Sequence, residues 1–174
     1  MWYIVFIFST VMHEASHAFC ALKLGDQTAY KGGQVTLNPL PHILREPFGT
    51  IIIPILSFFF YGWMIGWASA PYNPVWAFQH PKRSAKMALA GPMANLALVL
   101  AAALFIQLGM ESGFFVPAET IHFSSITRAP SGGLAGALAT LLAIFFTLNL
   151  VLFVFNLIPM PPLDGGSLIL LFVN

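Results

Sequence analysis

Four stretches of this chain are apolar for about the length of a bilayer crossing: residues 2–24, 50–68, 87–110 and 134–158. A run of about 20 apolar residues spans the hydrocarbon core as a helix. In lipid, only helices and closed barrels satisfy every backbone N–H and C=O internally. A fifth, shorter apolar stretch starts at Leu163. Only 7% of the residues are charged and 58% are hydrophobic, against roughly 25% charged in soluble domains. That is too little charge to wet a surface, so the bilayer is the natural solvent and an expected partner. The net charge of +1 leaves no basic face to displace counterions from phosphates, so nucleic acid is not expected as a partner. The single cysteine, Cys20, excludes an internal disulfide and a four-cysteine zinc site.

The connections break the helical pattern in different ways. Gly32-Gly33 followed by "QVTLNP" predicts a turn entering a short strand that stops at Asn38-Pro39. A small β-hairpin is therefore expected after the first helix. The stretch "SAPYNPVWAFQHPKRSAK" is rich in Pro and Asn and predicts loop, as does the polar connection from Glu111 to Gly133. "NLIPMPPLDGG", from Asn156 to Gly166, holds three prolines and two glycines. Backbone groups freed there at membrane depth are tolerated only beside a cavity or inside protein. The first stretch lacks a basic flank and a small-residue cleavage site, which predicts a retained helix and not a signal peptide. The chain ends at Asn174 inside the apolar run "SLILLFVN", so more membrane-embedded protein is expected to follow.

The expected fold class is an all-α polytopic membrane protein. It has about four membrane-embedded helical segments, a short C-terminal one and the small β-hairpin, in a single domain over residues 1–174. Basic residues test its topology. If Thr50 to Ala68 crosses fully, one side holds Lys23, Lys31, Arg45 and Arg128 and the other Lys82, Arg83 and Lys86, which decides nothing. If that stretch, interrupted by Pro54, Gly62 and Gly66, dips in and returns, Lys23, Lys31, Arg45, Lys82, Arg83 and Lys86 share one side against Arg128 alone. That pattern places Lys23 in the cytoplasm and makes 50–68 a re-entrant segment. His13, about ten residues before Lys23, then sits roughly 15 Å inside the cytoplasmic exit at helical rise.

Within the first apolar stretch stands "HEASH", residues 13–17. Positions i and i+4 share one helix face, so both imidazoles can reach one metal ion. Imidazole suits zinc, and catalytic zinc takes three protein ligands and leaves a fourth position to water. Glu14, beside the first ligand, is placed to take a proton from that water. Asp26, Glu46, Glu111 and Glu119 all lie in connections, whereas Glu14 and Asp164 alone fall in apolar surroundings. A carboxylate there is costly unless paired or bound to metal, which makes Asp164 the best candidate third ligand. His42, His80 and His122 read as surface or interfacial histidines, Cys20 as packing, and the small residues of "AGPMAN" as close helix packing.

The motifs "HEASH", "TLNPLPHI", "PFGTIIIP", "GWASAPYNP", "ALAGPMAN" and "FNLIPMPPLDGG" occur in the order found in the site-2 protease family of intramembrane zinc metalloproteases, and the chain resembles that family over essentially its whole length. The resemblance implies one Zn2+ per chain held by His13, His17 and Asp164, with Glu14 as the catalytic acid/base. Asn156 matches the family asparagine that engages the substrate or the reacting carbonyl. Gly33 to Pro39 resembles a membrane-associated hairpin whose edge holds an unwound substrate. The expected function is hydrolysis of peptide bonds within or near the transmembrane segments of protein substrates, in the cell membrane, with the active site toward the cytoplasm. A non-proteolytic zinc-binding transporter or scaffold is the alternative. Two departures, Ser167 where the family usually has Arg and "SAPYNP" where it often has "KPVPVN", touch no ligand and concern substrate handling or lipid-side anchoring.

Overall fold

The computed structural model describes residues 1–171. Helix α1, Trp2–Leu24, is unbroken because the run contains neither Gly nor Pro. It stops at Gly25, whose φ of 107° is left-handed and whose N–H reaches back to the Ala21 and Leu22 carbonyls, as a glycine just past a helix end does. Two short helices follow, α2 (Thr28–Lys31) and α3 (Pro39–Arg45). A five-residue π-helical turn, Phe48–Ile52, runs into the nine-residue α4, Ile53–Tyr61, which ends at a left-handed Gly62. Residues 64–73 carry no regular secondary structure. Then come α5 (Pro74–Gln79), the 31-residue α6 (Pro81–Glu111), a hairpin of β1 (Val116–His122) and β2 (Ser125–Arg128), α7 (Gly133–Asn156) and α8 (Asp164–Leu168).

Three helices, α1, α6 and α7, are long and apolar enough to cross a membrane, and the chain is an integral membrane protein. They pack as a trio with α6 against both partners. Val5 and Phe6 of α1 meet Ile144 and Leu148 of α7, with Met64 beside them. The outward faces are apolar, with Ile4, Leu100, Phe105 and Leu134 all exposed, as lipid contact requires.

The second apolar stretch, expected to dip in and return, is broken. It contains no helix of spanning length, because Gly62 ends α4 after nine residues, about 14 Å at 1.5 Å per residue. Taken with α3, it forms a pair bent by 111°. The return runs back beside its own start: the Trp67 N–H donates to the Gly49 carbonyl at 3.0 Å, and Ser69 Oγ donates to Glu46 Oε1 at 2.6 Å.

The expected hairpin after α1 is corrected. Gly33 turns the chain with φ of 70°, but residues 34–38 form no strand. Asn38 instead caps α3, its side chain accepting the Leu40 N–H, with Pro39 at the first helical position, where its missing N–H costs nothing. Gln34 Nε2 donates to the Pro41 carbonyl at 3.0 Å and His42 Nε2 to the Thr36 carbonyl at 3.0 Å. The stretch therefore folds onto its own helix, and His42 is buried and not a surface residue. The two-stranded antiparallel sheet lies instead in the connection read as loop, with Val116 opposite Arg128 and Pro117 opposite Thr127. Its turn reaches inward along α7, where Thr147 Oγ1 donates to the Phe123 carbonyl and Trp63 stacks on Phe123 at 5.3 Å. Of residues 69–86, also read as loop, 69–73 are irregular while 74–86 form α5 and the first turn and a half of α6. Residues 172–174, and the expectation that the apolar run continues past them, lie outside the described residues.

Asp26 ties the end of α1 to the end of the return. Its carboxylate accepts from Thr28 N–H and Oγ1 and, at 2.8 Å, from the Asn73 N–H. Burial pushes this carboxyl up, but the donors from Thr28 and Asn73 outweigh it and hold the group below its ordinary value. Because the folded-state value is depressed, the contribution to stability is present above the unfolded value of about 3.9 and fades as pH falls through the folded one. Asp26→Ala is expected to lower stability by about 1–3 kcal/mol at pH 7, read as the unfolding midpoint in detergent. The gap from wild type should narrow below about pH 4; a gap independent of pH would contradict the charge-assisted clamp.

Candidate metal centre

The site forms at the middle of α1. His13 lies eleven residues from either end of the helix. One turn apart on a single face, His13 and His17 bring their Nε2 atoms to 2.9 Å, with the rings edge to face. Asp164, the first residue of α8, places Oδ2 3.1 Å from His13 Nε2 and 3.2 Å from His17 Nε2. A Glu14 carboxylate oxygen lies within 4.8 Å of a ring nitrogen of each histidine. His13, Glu14 and His17 are buried, each 7% exposed.

The other ring nitrogens are committed elsewhere. His13 Nδ1 pairs with Asn95 Oδ1 and His17 Nδ1 with the Met87 carbonyl at 2.8 Å. Both acceptors are oxygens, so both Nδ1 atoms carry hydrogen and both neutral rings turn an Nε2 lone pair inward. Three electron-pair donors, two imidazoles and a carboxylate, thus face one point. They repel one another in a medium that screens poorly, and a divalent cation among them turns repulsion into bonding. For four donors 2.0–2.1 Å from a tetrahedral ion the expected edge is about 3.3 Å. The observed separations of 2.9–3.2 Å are close to it, so the residues fit a zinc ion.

Two sequence features bring the helices this close. α6 approaches the imidazoles at Gly91, where an added methyl would collide with the Nε2 atoms of both His13 and His17. Next to it, the fully buried Pro92 lacks an N–H and so leaves a carbonyl one turn back without its helical partner. Gly165 does the same for the α7–α8 break: a methyl there would strike the Leu157 and Ile158 carbonyls. Only glycine lets the chain double back tightly enough to aim Asp164 at α1.

Two cavities open on the site, and Glu14 lines both. One, of about 210 Å³, is bordered by His17, Asp164, Ser69, Tyr72 and Ser84. The other, of about 130 Å³, is bordered by Thr10, His13, Trp67, Phe155 and Asn156. Asn156 is thus on the wall of the site without a hydrogen bond to either histidine, and its Nδ2 donates to the Leu152 carbonyl at 2.9 Å. The sequence reading missed Ser9, Asn95 and Asn149, all fully buried. Their signal was present, since a polar side chain inside a membrane helix is expensive unless it has a partner or a function.

Gly91→Ala should displace the imidazoles and cut affinity for a divalent ion by about 5- to 150-fold, matching the 1–3 kcal/mol typical of overpacking. Gly136→Ala, with nothing within 4 Å of the added methyl, should leave it unchanged. Metal content after dialysis against a graded chelator measures both; equal retention by the two variants would contradict the close approach.

Several known proteins are similar to this chain in sequence. The chain is 38% identical over 168 residues to the Bacillus subtilis protein named "Putative zinc metalloprotease YwhC", covering 95% of this chain and 66% of that one. It is 29% identical over 162 residues to "Putative zinc metalloprotease Rip2" of Mycolicibacterium smegmatis, covering 91% of this chain and 52% of that one. The Mycobacterium tuberculosis protein of the same name is 29% identical over 158 residues, 90% of this chain and 51% of that one. The chain therefore spans between half and two thirds of the length of these relatives. No solved structure matches it. The sequence profile of peptidase family M50 runs over residues 1–174, and the chain belongs to that family, the site-2 proteases.

Proposed function

We propose that residues 1–174 are a single membrane-embedded, zinc-dependent protease domain that hydrolyses peptide bonds within or near transmembrane segments of protein substrates. The observation that carries the reading is the convergence of His13 Nε2, His17 Nε2 and Asp164 Oδ2 within 3.2 Å of one another, with the Glu14 carboxylate alongside. In this reading those three hold the ion and Glu14 is the acid/base. Zinc, when bound, supplies Lewis acidity, polarising the scissile carbonyl and lowering the pKa of water to about 7.

Glu14 takes a proton from the attacking water and returns it to the leaving amine, a role worth roughly 10²–10⁴ in rate. Its place between two cavities suits that task. The larger, lined by Ser69, Tyr72 and Ser84, supplies water; the smaller, with Trp67 and Phe155, holds the scissile segment. Asn156, on its wall, engages the substrate carbonyl and donates to the developing oxyanion. Helical peptide bonds are shielded and already hydrogen-bonded, so the substrate unwinds locally before attack. Substrates with helix-weakening residues near the cut are favoured.

The same reading makes 50–68 a re-entrant segment in the cell membrane, with the active site toward the cytoplasm. It is supported by the Asp26–Asn73 hydrogen bond, which holds the end of the returning arm at the α1 C-terminus, and by the six basic residues that then share one side. A structural or transport site does not require a free carboxylate beside the ion, and Glu14 therefore favours the protease over the alternative.

The full-length protein in vesicles, incubated with single-span peptides, tests the reading. Glu14→Gln should lower cleavage at least about 100-fold while bound zinc per chain is unchanged, and a zinc chelator should abolish wild-type cleavage. Wild-type rates from the Glu14→Gln protein, or cleavage insensitive to chelation, would sink the assignment.

A further inference from the structure

We infer that a one-way chain of buried hydrogen bonds through Asn95 and Asn149 sets the tautomer of His13, making both asparagines positioning residues for the metal. The inference rests on the reading of His13 as a ligand. The chain starts at His13 Nδ1, which pairs with Asn95 Oδ1. Asn95 Nδ2 donates to Asn149 Oδ1 at 2.8 Å. Asn149 Nδ2 donates to Ser9 Oγ at 2.9 Å and to the Phe145 carbonyl at 2.8 Å. It thus leaves α1, crosses α6 and α7, and returns to α1 one turn before it began.

An amide side chain is nearly symmetric in shape, so something must decide which end of Asn95 faces the imidazole. The Phe145 carbonyl decides. A backbone oxygen only accepts, so Asn149 must turn its NH₂ toward it. That leaves Asn149 Oδ1 facing Asn95, which then presents its own NH₂ to Asn149 and its Oδ1 to His13. An acceptor at that position holds the hydrogen on Nδ1 and leaves Nε2 as a lone pair. Ser9, Asn95 and Asn149 are each 0% exposed, so water cannot stand in for a missing member. His17 needs no such relay because the Met87 carbonyl receives its Nδ1–H directly.

Removing Asn149 frees Asn95 to turn over. Its NH₂ then faces His13 Nδ1, the hydrogen moves to Nε2, and it points where the ion would sit. Asn149 touches neither His13 nor the other proposed ligands in any recorded hydrogen bond, so an effect from this position separates the relay from simple contact. Asn149→Asp is the rescue: in its neutral form it accepts from Asn95 and donates its hydroxyl to Phe145, reproducing the direction of the chain.

The test uses the whole chain in nanodiscs with histidine rings labelled with nitrogen-15. Zinc affinity is read by competition with a chromophoric chelator, and ring tautomers by NMR on zinc-free protein. Asn95→Leu and Asn149→Leu should weaken zinc binding by about 10–100-fold and shift His13 toward the Nε2–H form while His17 stays Nδ1–H. Asn149→Asp should stay within about threefold of wild type, even with a lower unfolding midpoint, and Ser9→Ala likewise because the Phe145 carbonyl remains. If Asn149→Leu fails to fold, the tautomer in Asn95→Leu decides. An unchanged His13 tautomer in the leucine variants would overturn the relay. Absence of zinc from the wild-type protein would instead overturn the ligand reading, and the tautomers would still test the relay.

Discussion

Outside a protein-lined cavity, the middle of a bilayer offers no water to satisfy a stray donor or acceptor, and the rest of this structure follows from that constraint. A buried amide or hydroxyl without a partner costs several kcal/mol in such surroundings. At the level of His13 the three long helices carry Ser9, His13, Glu14, His17, Asn95 and Asn149, all buried. Each side chain of the relay meets another or a backbone carbonyl, and the remaining lone pairs converge with the Asp164 carboxylate. The helices are registered by these polar contacts as much as by apolar packing, since lipid tails are as apolar as leucine and give helices little reason to associate.

Bringing so many polar groups to one point requires the backbones to come close and then to break. Gly91 allows α6 to lie against the imidazoles, and Gly165 allows the chain after α7 to turn back. The Pro-rich break between α7 and α8 ends beside the larger cavity, where Pro162 and Leu163 form part of the wall. Irregular backbone at depth is thus confined to places where it lines a space or packs against protein. The irregular stretch 64–73 obeys the same rule, contributing Gly66, Trp67 and Ala68 to the smaller cavity.

Much of the site was legible in the sequence because ionisable residues in apolar runs are few. His13, Glu14, His17 and Asp164 stand out for that reason alone, and the structure brings His13, His17 and Asp164 within 3.2 Å. Asn95 was passed over because one asparagine among alanines reads as packing until its partner on another helix is known. Gly62 was legible as an interruption of 50–68, but composition does not reveal that it adopts a left-handed turn and ends the helix after nine residues. The hairpin was misplaced since Gly32-Gly33 signals a turn in either setting, while the Asn38-Pro39 pair that looked like a strand stop is equally a helix start. The strands at Val116–Arg128 carry no clean alternation, and their register depends on packing along α7.

The account stands on two imidazoles and one carboxylate sharing a single ion. X-ray absorption at the zinc edge on the purified, metal-loaded protein addresses that directly. It should show two imidazole nitrogens and carboxylate oxygen at about 2.0–2.1 Å, and it should lose one imidazole in His17→Ala. A shell containing sulfur from Cys20, or one unchanged by that substitution, would contradict it.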